Sequence, residues 1–327
     1  MNKPLLICMT PVRNEAWVLN AFLKATSLWA DYIIIADQNS TDGSREIALT
    51  YPKVILVENN NPNFNEAERQ KILIDKARQI EGDKILFALD ADEIFSANFA
   101  KTDDWQKILN SQQGDVFWFK WALVCPDKVH YWDHQTFFPW VFHDDGKEQH
   151  GNYVRNIHSM RIPYPIEEKQ MYYVNDFEVL HFQYVFFERN LSKQRFYMFV
   201  DYSMNKRSTV KLSRTYLQKG IKGKYLNLNE KMIYLEEING FDLFDFIDTN
   251  SRRFWFDKYL AERILQNGEA IYKNIDIWNA SFLEEYNFTD PRNWSLKLLH
   301  FYLRNTQSIS TLFTIRFIDK IFKKIGI

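Results

Sequence analysis

The chain has 327 residues, of which 46% are apolar and 17% aromatic, enough to bury a core in one large or two modest domains. A net charge of −1 gives no global signal for nucleic acid or another polyanion, so no nucleic-acid partner is expected. Cys8 and Cys125 lie far apart without zinc-finger spacing, which argues against a disulfide framework. The sequence shows no signal peptide and no apolar run of the roughly 20 residues that span a bilayer, so we expect a cytoplasmic protein.

The first 95 residues alternate short apolar runs with amphipathic segments. Strands are predicted at 5–9, 32–36, 54–57 and 85–89, with a helix between each pair. The strands are almost wholly apolar, as expected when both faces of a sheet are covered. The pattern therefore predicts an α/β fold with a parallel sheet between two layers of helices.

Polar residues concentrate where these four strands end, at 11–15, 37–42, 58–61 and 90–93. Parallel strands joined by right-handed crossovers place their carboxyl ends on one edge, so these segments should line a single crevice. Neither glycine-rich phosphate-binding pattern, Gly-x-Gly-x-x-Gly or Gly-x-x-x-x-Gly-Lys-Ser/Thr, follows any strand. A diphosphate bound in this crevice would need a metal ion instead.

The segment Asp90-Ala91-Asp92-Glu93 ends the fourth strand with three carboxylates. Clustered carboxylates repel one another, and a divalent cation with oxygen ligands relieves the repulsion. The alternative interpretation is that Asp92 caps a following helix while Asp90 occupies a turn. From this segment alone, both interpretations stay open.

Three segments together resemble the family 2 glycosyltransferases of the GT-A fold, over roughly residues 4–95. They are Thr10-Pro11-Val12-Arg13-Asn14-Glu15, Ile35-Ala36-Asp37-Gln38-Asn39-Ser40-Thr41-Asp42-Gly43-Ser44 and Leu89-Asp90-Ala91-Asp92-Glu93. The resemblance implies a mixed sheet and a nucleotide-sugar donor, with Mn²⁺ or Mg²⁺ as cofactor. It implies these nucleotide contacts: Pro11, Arg13, Asn14, Glu15, Asp37 and Asp90. It makes Asp92 the principal metal ligand, with Asp90 as a second ligand or as a contact to the ribose or a metal-bound water.

Two positions near this crevice carry further expectations. Gln38 stands where the family usually has a second Asp, and an amide recognises a base differently from a carboxylate. Arg69 begins the helix before the fourth strand, where related enzymes place an Arg or Asn near the nucleotide. A guanidinium there would offset phosphate charge, and the alternative is an exposed arginine paired with an acid one turn away.

Beyond residue 95 the strand-helix alternation stops, and extended runs are predicted at 116–121, 137–142, 155–162 and 178–185. The resemblance suggests His181 as a further metal ligand, whereas a lone histidine in an apolar strand is more often a core residue. His158 is assigned to the acceptor site or its surroundings. An inverting transfer needs a carboxylate base, and periodicity does not choose among six candidates. Asp176 is preferred, and the others are Asp144, Asp145, Glu167, Glu168 and Glu178. Glu93 has two possible roles, as a contact to the acceptor or as a support for the metal ligands.

The last third of the chain is predicted to be helical, giving a GT-A domain at 1–186 and a helical C-terminal region at 187–327. Residues 294–327 interleave large apolar residues with lysine and arginine, and Asp319 is their only acid. This is typical of a helix on a membrane surface. The alternative is a terminal helix that packs on the body with its lysines outward.

These observations predict a metal-dependent, inverting glycosyltransferase that uses a UDP-sugar and a glycan or lipid-linked acceptor. The resemblance places it in cell-envelope polysaccharide or lipopolysaccharide synthesis, at the inner face of the plasma membrane if the tail binds lipid. One alternative is a sugar nucleotidyltransferase, although the residues after strand 1 contain no glycine. Another is a catalytically silent GT-A binding module.

Overall fold

The computed structural model describes residues 3–147, 159–163, 170–217, 224–235, 241–251 and 253–324. The chain divides into two compact units. The N-terminal unit comprises Met1–Phe186 and Lys222–Asn250, and the helical unit comprises Phe187–Ile221 and Ser251–Ile327. The functions assigned to the predicted domains 1–186 and 187–327 stay predictions. In the described ranges, no helix is long and apolar enough to cross a membrane.

The elements of the first 95 residues follow the predicted alternation. They are β1 Leu5–Val12, α1 Ala16–Thr26, β2 Tyr32–Asp37, α2 Ser44–Leu49, β3 Val54–Glu58, α3 Glu66–Arg78, β4 Lys84–Ala88 and β5 Glu93–Phe95. β1 pairs in parallel with both β2 and β4, and β2 pairs in parallel with β3. The four predicted parallel strands are thus confirmed.

The remaining elements complete two larger sheets, form a separate two-stranded sheet from the last two strands and add a set of helices. They are α4 Asp103–Leu109, β6 Val116–Phe119, β7 Trp121–Val124, β8 His130–Asp133, β9 Phe138–His143, β10 Met171–Tyr173, β11 Val179–His181, α5 Phe187–Asn205, α6 Thr209–Tyr216, β12 Lys224–Asn227, α7 Glu230–Ile233, β13 Tyr234–Leu235, β14 Phe241–Asp242, α8 Trp255–Asn267, α9 Ala280–Tyr286, α10 Trp294–Asn305 and α11 Phe313–Lys324. The predicted strand at 155–162 lies mostly outside the described residues, and 159–163 form no strand.

The larger sheet has the order β10-β6-β9-β4-β1-β2-β3 among the described strands. β9 runs antiparallel to both β4 and β6, so the sheet is mixed. Pro139 within the apolar run suggests an edge strand or a bulge. Its strand β9 is central, and the register with β6 shifts between Phe117 and Trp118, next to the Trp118–Pro139 pair. A proline lacks the N–H that regular pairing uses, so an irregularity at this position is expected.

Helices cover both faces of this sheet. On one face, Leu73 and Ile74 of α3 pack over strand residues that include Ile7 and Leu86. On the other face, Trp29, just after α1, contacts Phe87 with ring centroids 4.6 Å apart. Strand side chains alternate between faces, and each set needs its own cover. The predicted α/β fold, with a mixed sheet and a helical C-terminal region, is therefore confirmed.

A second sheet, with the order β12-β8-β7-β11-β5 among the described strands, also belongs to the N-terminal unit. β5 follows the segment 90–92 directly and pairs antiparallel with β11, which sets His181 opposite Glu93. The two sheets therefore meet at the end of β4, where the acidic segment lies.

The helical unit is held by buried ion pairs as well as apolar packing. Arg195 on α5 binds the Asp257 carboxylate on α8 at 2.6 Å and 3.0 Å. Arg214 on α6 binds both oxygens of Asp319 on α11 and also donates to the Leu303 carbonyl of α10. Arg214 thereby ties α6 to the two last helices, and Asp319 has its charge balanced.

Candidate nucleotide and metal site

The loops that follow β1 and β2 are joined by hydrogen bonds. The Asn14 N–H donates to Ser40 Oγ at 2.9 Å, and the Thr41 N–H donates to Asn14 Oδ1 at 2.7 Å. Asn14 and Asn39 both have left-handed φ values, 56° and 53°, which asparagine tolerates better than most residues. The first two strand exits therefore form one connected surface, as predicted.

Asp42 contacts the first residues of two helices. Its Oδ1 accepts from the Ser44 N–H at the start of α2, and its Oδ2 accepts from the Ala16 N–H at the start of α1, both at 3.0 Å. The position before α2 is Gly43, whose φ of 98° suits glycine, and it makes no side-chain cap. Asp42 thus fastens the β2 exit to the first helix.

Asp37, at the end of β2, is buried and paired with a residue that carries no signal in the sequence. Its Oδ2 lies 2.8 Å from Arg45 Nη1, and the same guanidinium reaches Glu58 at 3.3 Å. Gln38 donates its amide to the Asn61 and Asn63 carbonyls at 2.7 Å and 3.0 Å. Its amide N–H groups therefore hold the loop after β3 and are engaged within the protein. The role of Asp37 toward a nucleoside stays a prediction.

The helix-cap interpretation of Asp92 is wrong, because the chain continues after it into strand β5. The turn is closed by the Glu93 N–H, which donates to the Asp90 carbonyl at 2.9 Å. Asp92 is only 4% exposed, and its carbonyl accepts from the Phe182 N–H just after β11. The acidic segment is therefore a tight junction between the two sheets.

His181 stands beside Asp92 in this junction. Its Nε2 lies 3.6 Å from Asp92 Oδ2, and the ring is 5% exposed. Within the described part of the chain, neither ring nitrogen has a hydrogen-bond partner. A core histidine normally satisfies at least one nitrogen, since burial of an unpaired polar atom is costly. This position thus presents an imidazole nitrogen and a carboxylate side by side.

Glu93 is completely buried and receives donors on both oxygens. Oε1 accepts from Trp121 Nε1 at 2.9 Å and from Arg161 Nη2 at 3.0 Å. Oε2 accepts from the Asp90 N–H and from Arg161 Nη1. Burial acts to raise the pKa of Glu93, but attraction to Arg161 outweighs it and holds the pKa below its ordinary value. Glu93 is therefore ionised and fully engaged.

Arg161 joins two of the three carboxylates. Besides Glu93, it binds Asp90 Oδ2 at 2.6 Å through Nη2. Burial acts to lower the pKa of Arg161, and its attraction to Asp90 and Glu93 more than reverses this, so the group stays charged. Its guanidinium lies 5.5 Å from the centre of the Trp140 ring, which packs on Trp121. An arginine with an aromatic wall thus borders the acidic segment.

The junction can be compared with what Mn²⁺ or Mg²⁺ requires. Asp92 and His181 provide one oxygen and one nitrogen donor side by side, and both types ligate divalent ions. In the described ranges, no group of three His, Cys, Asp or Glu side chains is placed to hold a metal. Asp90, the other predicted ligand, is engaged with Arg161. The residues present fit an ion that takes its remaining ligands from a bound substrate and water.

The other predicted residues lie in varied settings. Pro11 is part of β1, opposite Ala36. Glu15 accepts from the Trp17 indole at 2.7 Å. Arg69 stacks on Phe64 and lies 4.0 Å from Glu66, one turn away, which is the ion pair of the alternative interpretation. Arg13, near the end of β1, is half-buried.

The predicted catalytic base, Asp176, is not brought to this junction. Asp176 precedes β11, whereas His181 ends it, so the two lie at opposite ends of the strand. The Asp176 side chain is exposed and accepts from the Asp104 N–H in the first turn of α4. Its position does not support its assignment as catalytic base. His158 lies outside the described residues.

This chain is similar to parts of several solved structures. No family model and no curated protein matches this chain. Glucosyl-3-phosphoglycerate synthase from Mycobacterium tuberculosis, solved with Mn²⁺ and UDP, is 18% identical with a TM-score of 0.28; the match covers 37% of this chain and 44% of that one. GalNAc-T7 with UDP, GalNAc and Mn²⁺ gives 11% identity and a TM-score of 0.40, with 55% and 44% covered. Mannose-1-phosphate geranyltransferase from Thermus thermophilus gives 14% and 0.30, with 42% and 50% covered. This chain spans less than half of the first two proteins.

Proposed function

We propose that this chain is a metal-dependent, inverting glycosyltransferase that uses a nucleotide-diphosphate sugar, with a UDP-sugar as the first candidate. The observation that carries the proposal is the buried Asp92–His181 pair at the carboxyl edge of the sheet, beside the joined β1 and β2 loops. The chain has no phosphate-binding glycine loop, so a diphosphate bound there would need a metal ion to balance its charge.

In the proposed enzyme, Asp92 and His181 hold the divalent ion. When bound, the ion neutralises the charge that builds on the diphosphate as the sugar leaves. Imidazole nitrogen suits Mn²⁺ better than Mg²⁺, which prefers a shell of oxygens, so Mn²⁺ is the preferred ion. The β1 and β2 exits supply the nucleoside contacts named by the resemblance, with Asp37 held in place by Arg45.

The remaining residues of the junction shape the reaction space. Glu93 is ionised but accepts four hydrogen bonds, so it positions Trp121 and Arg161 and is poorly suited to take a proton from an acceptor. Trp121 and Trp140 form an apolar wall of the kind that stacks on sugar rings. Arg161 holds Asp90 on the side of this wall, where donor and acceptor would meet.

The acceptor is proposed to be a glycan or a lipid-linked saccharide in cell-envelope polysaccharide or lipopolysaccharide assembly. This part rests on the resemblance of the three sequence segments to family 2 glycosyltransferases.

The proposal is tested by incubating the purified chain with UDP-sugars and Mn²⁺ and measuring the products. Slow hydrolysis of at least one donor to UDP and free sugar, dependent on the metal, is the expected result. Release of pyrophosphate from a sugar phosphate and a nucleoside triphosphate would instead identify a nucleotidyltransferase. Absence of both reactions, together with no UDP binding in the presence of Mn²⁺, would indicate a silent module.

The position of Asp176 gives a separate prediction. We expect Asp176→Asn to change donor hydrolysis, and transfer once an acceptor is known, by less than about threefold, because its carboxylate is exposed and lies at the far end of β11. The amide oxygen of asparagine can still accept from the Asp104 N–H, so the free energy of unfolding should change by less than about 1 kcal/mol. Steady-state rates and denaturant unfolding measure the two effects. A turnover rate lowered by about two orders of magnitude, at unchanged KM, would restore Asp176 as the base.

A further inference from the structure

The last helix, α11, presents large apolar side chains to solvent. Only Ile315 and Asp319 of its residues are buried. Phe313 is 83% exposed and Phe317 56% exposed, and the Ile318 and Ile321 side chains are also exposed. Single exposed apolar residues are ordinary on protein surfaces, but two phenylalanines and two isoleucines along one 12-residue helix form a contiguous apolar face.

Basic side chains run beside this apolar face. Arg316, Lys320 and Lys323 are spaced at i, i+4 and i+7, so they lie along one side of the helix. With Arg214, Phe313 and other residues they line an open groove of about 880 Å³. The one acid of the groove, Asp319, is neutralised by Arg214. None of the three basic side chains forms an ion pair with any described residue, so the groove is strongly positive.

The preceding helix α10 also exposes a row of large apolar side chains. Its exposed apolar side chains, Trp294, Leu298 and Phe301, follow the spacing i, i+4 and i+7. Tryptophan and phenylalanine are the residues that settle at the boundary between headgroups and acyl chains. Two successive helices of the helical unit thus expose apolar rows without any acidic residue at their surface.

The length of α11 limits what it can contact. Twelve residues make a helix about 18 Å long, too short to span the roughly 30 Å of a bilayer's hydrocarbon core. The apolar face of the helix needs an apolar partner, and the adjoining basic row needs a negatively charged one. The matching surface therefore has an apolar interior covered by a negatively charged outer layer. An anionic phospholipid bilayer has this arrangement.

We propose that α11 docks this protein on an anionic phospholipid bilayer, with its axis parallel to the membrane plane. Phe313, Phe317 and Ile321 enter the boundary between headgroups and acyl chains. Arg316, Lys320 and Lys323 bind headgroup phosphates, one of which enters the groove beside Arg214. This inference goes beyond the proposed glycosyl transfer and does not depend on it.

The test measures partition of the full chain onto vesicles of phosphatidylcholine alone or mixed with phosphatidylglycerol, by flotation at low and high salt. The wild type should bind only the anionic vesicles, and less so at high salt. Lys320→Glu with Lys323→Glu should lower the partition coefficient at least about 25-fold, since each basic residue near the surface contributes about fivefold. The matched control, Lys258→Glu with Lys273→Glu, makes the same charge change on exposed lysines of α8 and the turn after it.

The apolar contribution is tested separately. Phe313→Ser with Phe317→Ser should lower partition at least about tenfold without lowering the unfolding midpoint, because both side chains are exposed in the free protein. Leu265→Ser with Ile271→Ser, which removes two other exposed apolar side chains of the helical unit, is the control and should bind as the wild type does.

Four results would overturn the proposal. The first is equal binding to neutral and anionic vesicles, and the second is equal binding by the variants and their controls. The third is a concentration-dependent dimer, seen by light scattering without lipid, that Phe313→Ser with Phe317→Ser abolishes; this would make α11 an interface between copies of the chain. Suppression of vesicle binding by millimolar free phosphate, at constant ionic strength, would show that the groove takes a soluble anion and would likewise overturn the bilayer as its occupant.

Discussion

Asp92→Asn is expected to abolish the Mn²⁺-dependent part of UDP binding and to lower donor turnover at least about 100-fold. A neutral amide keeps the size of the side chain but loses the charge that attracts a hard cation. Asp92 is buried beside His181, and the neighbouring carboxylates Asp90 and Glu93 are both engaged with Arg161. Calorimetric titration of UDP, with and without Mn²⁺, measures the coupling between metal and nucleotide.

Asp176→Asn is the matched control for this experiment, since it makes the same chemical change on an exposed carboxylate. Its coupling between Mn²⁺ and UDP should equal that of the wild type. If Asp92→Asn retains the full coupling while remaining folded, the Asp92–His181 pair is not the metal site. A parallel variant, His181→Gln, should weaken the coupling less, because it leaves the charged ligand in place.

Arg161→Met is expected to be the most destabilising substitution at the junction, lowering the free energy of unfolding by about 3–5 kcal/mol. Methionine leaves Glu93 as a buried charge without its partner, and such a group costs several kcal/mol. Arg161→Met with Glu93→Gln removes both charges, so it should recover part of the loss. Urea unfolding of the two single variants and the double variant gives the coupling energy.

The pH dependence distinguishes this explanation from simple loss of packing. In the wild type, the pKa of Glu93 is held below its ordinary value of 4.5, so its contribution to stability is complete above that pH and is lost as the pH falls through the lower folded pKa. In Arg161→Met, burial remains and raises the pKa of Glu93 instead. The variant should then lose stability as the pH rises above 4.5, and the difference from wild type should be largest near neutrality. A difference that does not change with pH would argue for packing alone.

The sequence was most informative for the first 95 residues. Runs such as Ile33–Ala36 and Ile85–Leu89 are apolar throughout because both sides of a parallel sheet are buried, and this leaves little choice of structure. The convergence of the first two strand exits followed from topology, and the Asn14–Ser40 contact reflects it. The pairing of His181 with Asp92 was anticipated only through the family resemblance.

Other features of the site had no local signal. Arg161 meets Asp90 and Glu93 from about 70 residues away, in a segment whose alternation predicted a strand that residues 159–163 do not form. Trp121 donates its indole N–H to Glu93. Hydrophobic patterning predicts only that this tryptophan is part of the core, and it does not predict the hydrogen bond. Arg45 has the spacing of an ordinary exposed helix residue and pairs with Asp37 only because the β2 exit turns back toward α2. Long-range pairing of charges was the part that composition and periodicity left open.

The assignment of residues 222–250 to the N-terminal unit has a practical consequence for dissecting this protein. β12, at Lys224–Asn227, pairs with β8 and forms one margin of the five-stranded sheet. A fragment ending at residue 186 would lose that strand and expose the backbone groups of β8, which invites pairing between molecules. The same cut removes the Met232 carbonyl that accepts from the Ala97 N–H just after β5. A shortened fragment that contains the candidate site should therefore retain residues 222–250, joined through a designed linker in place of 187–221.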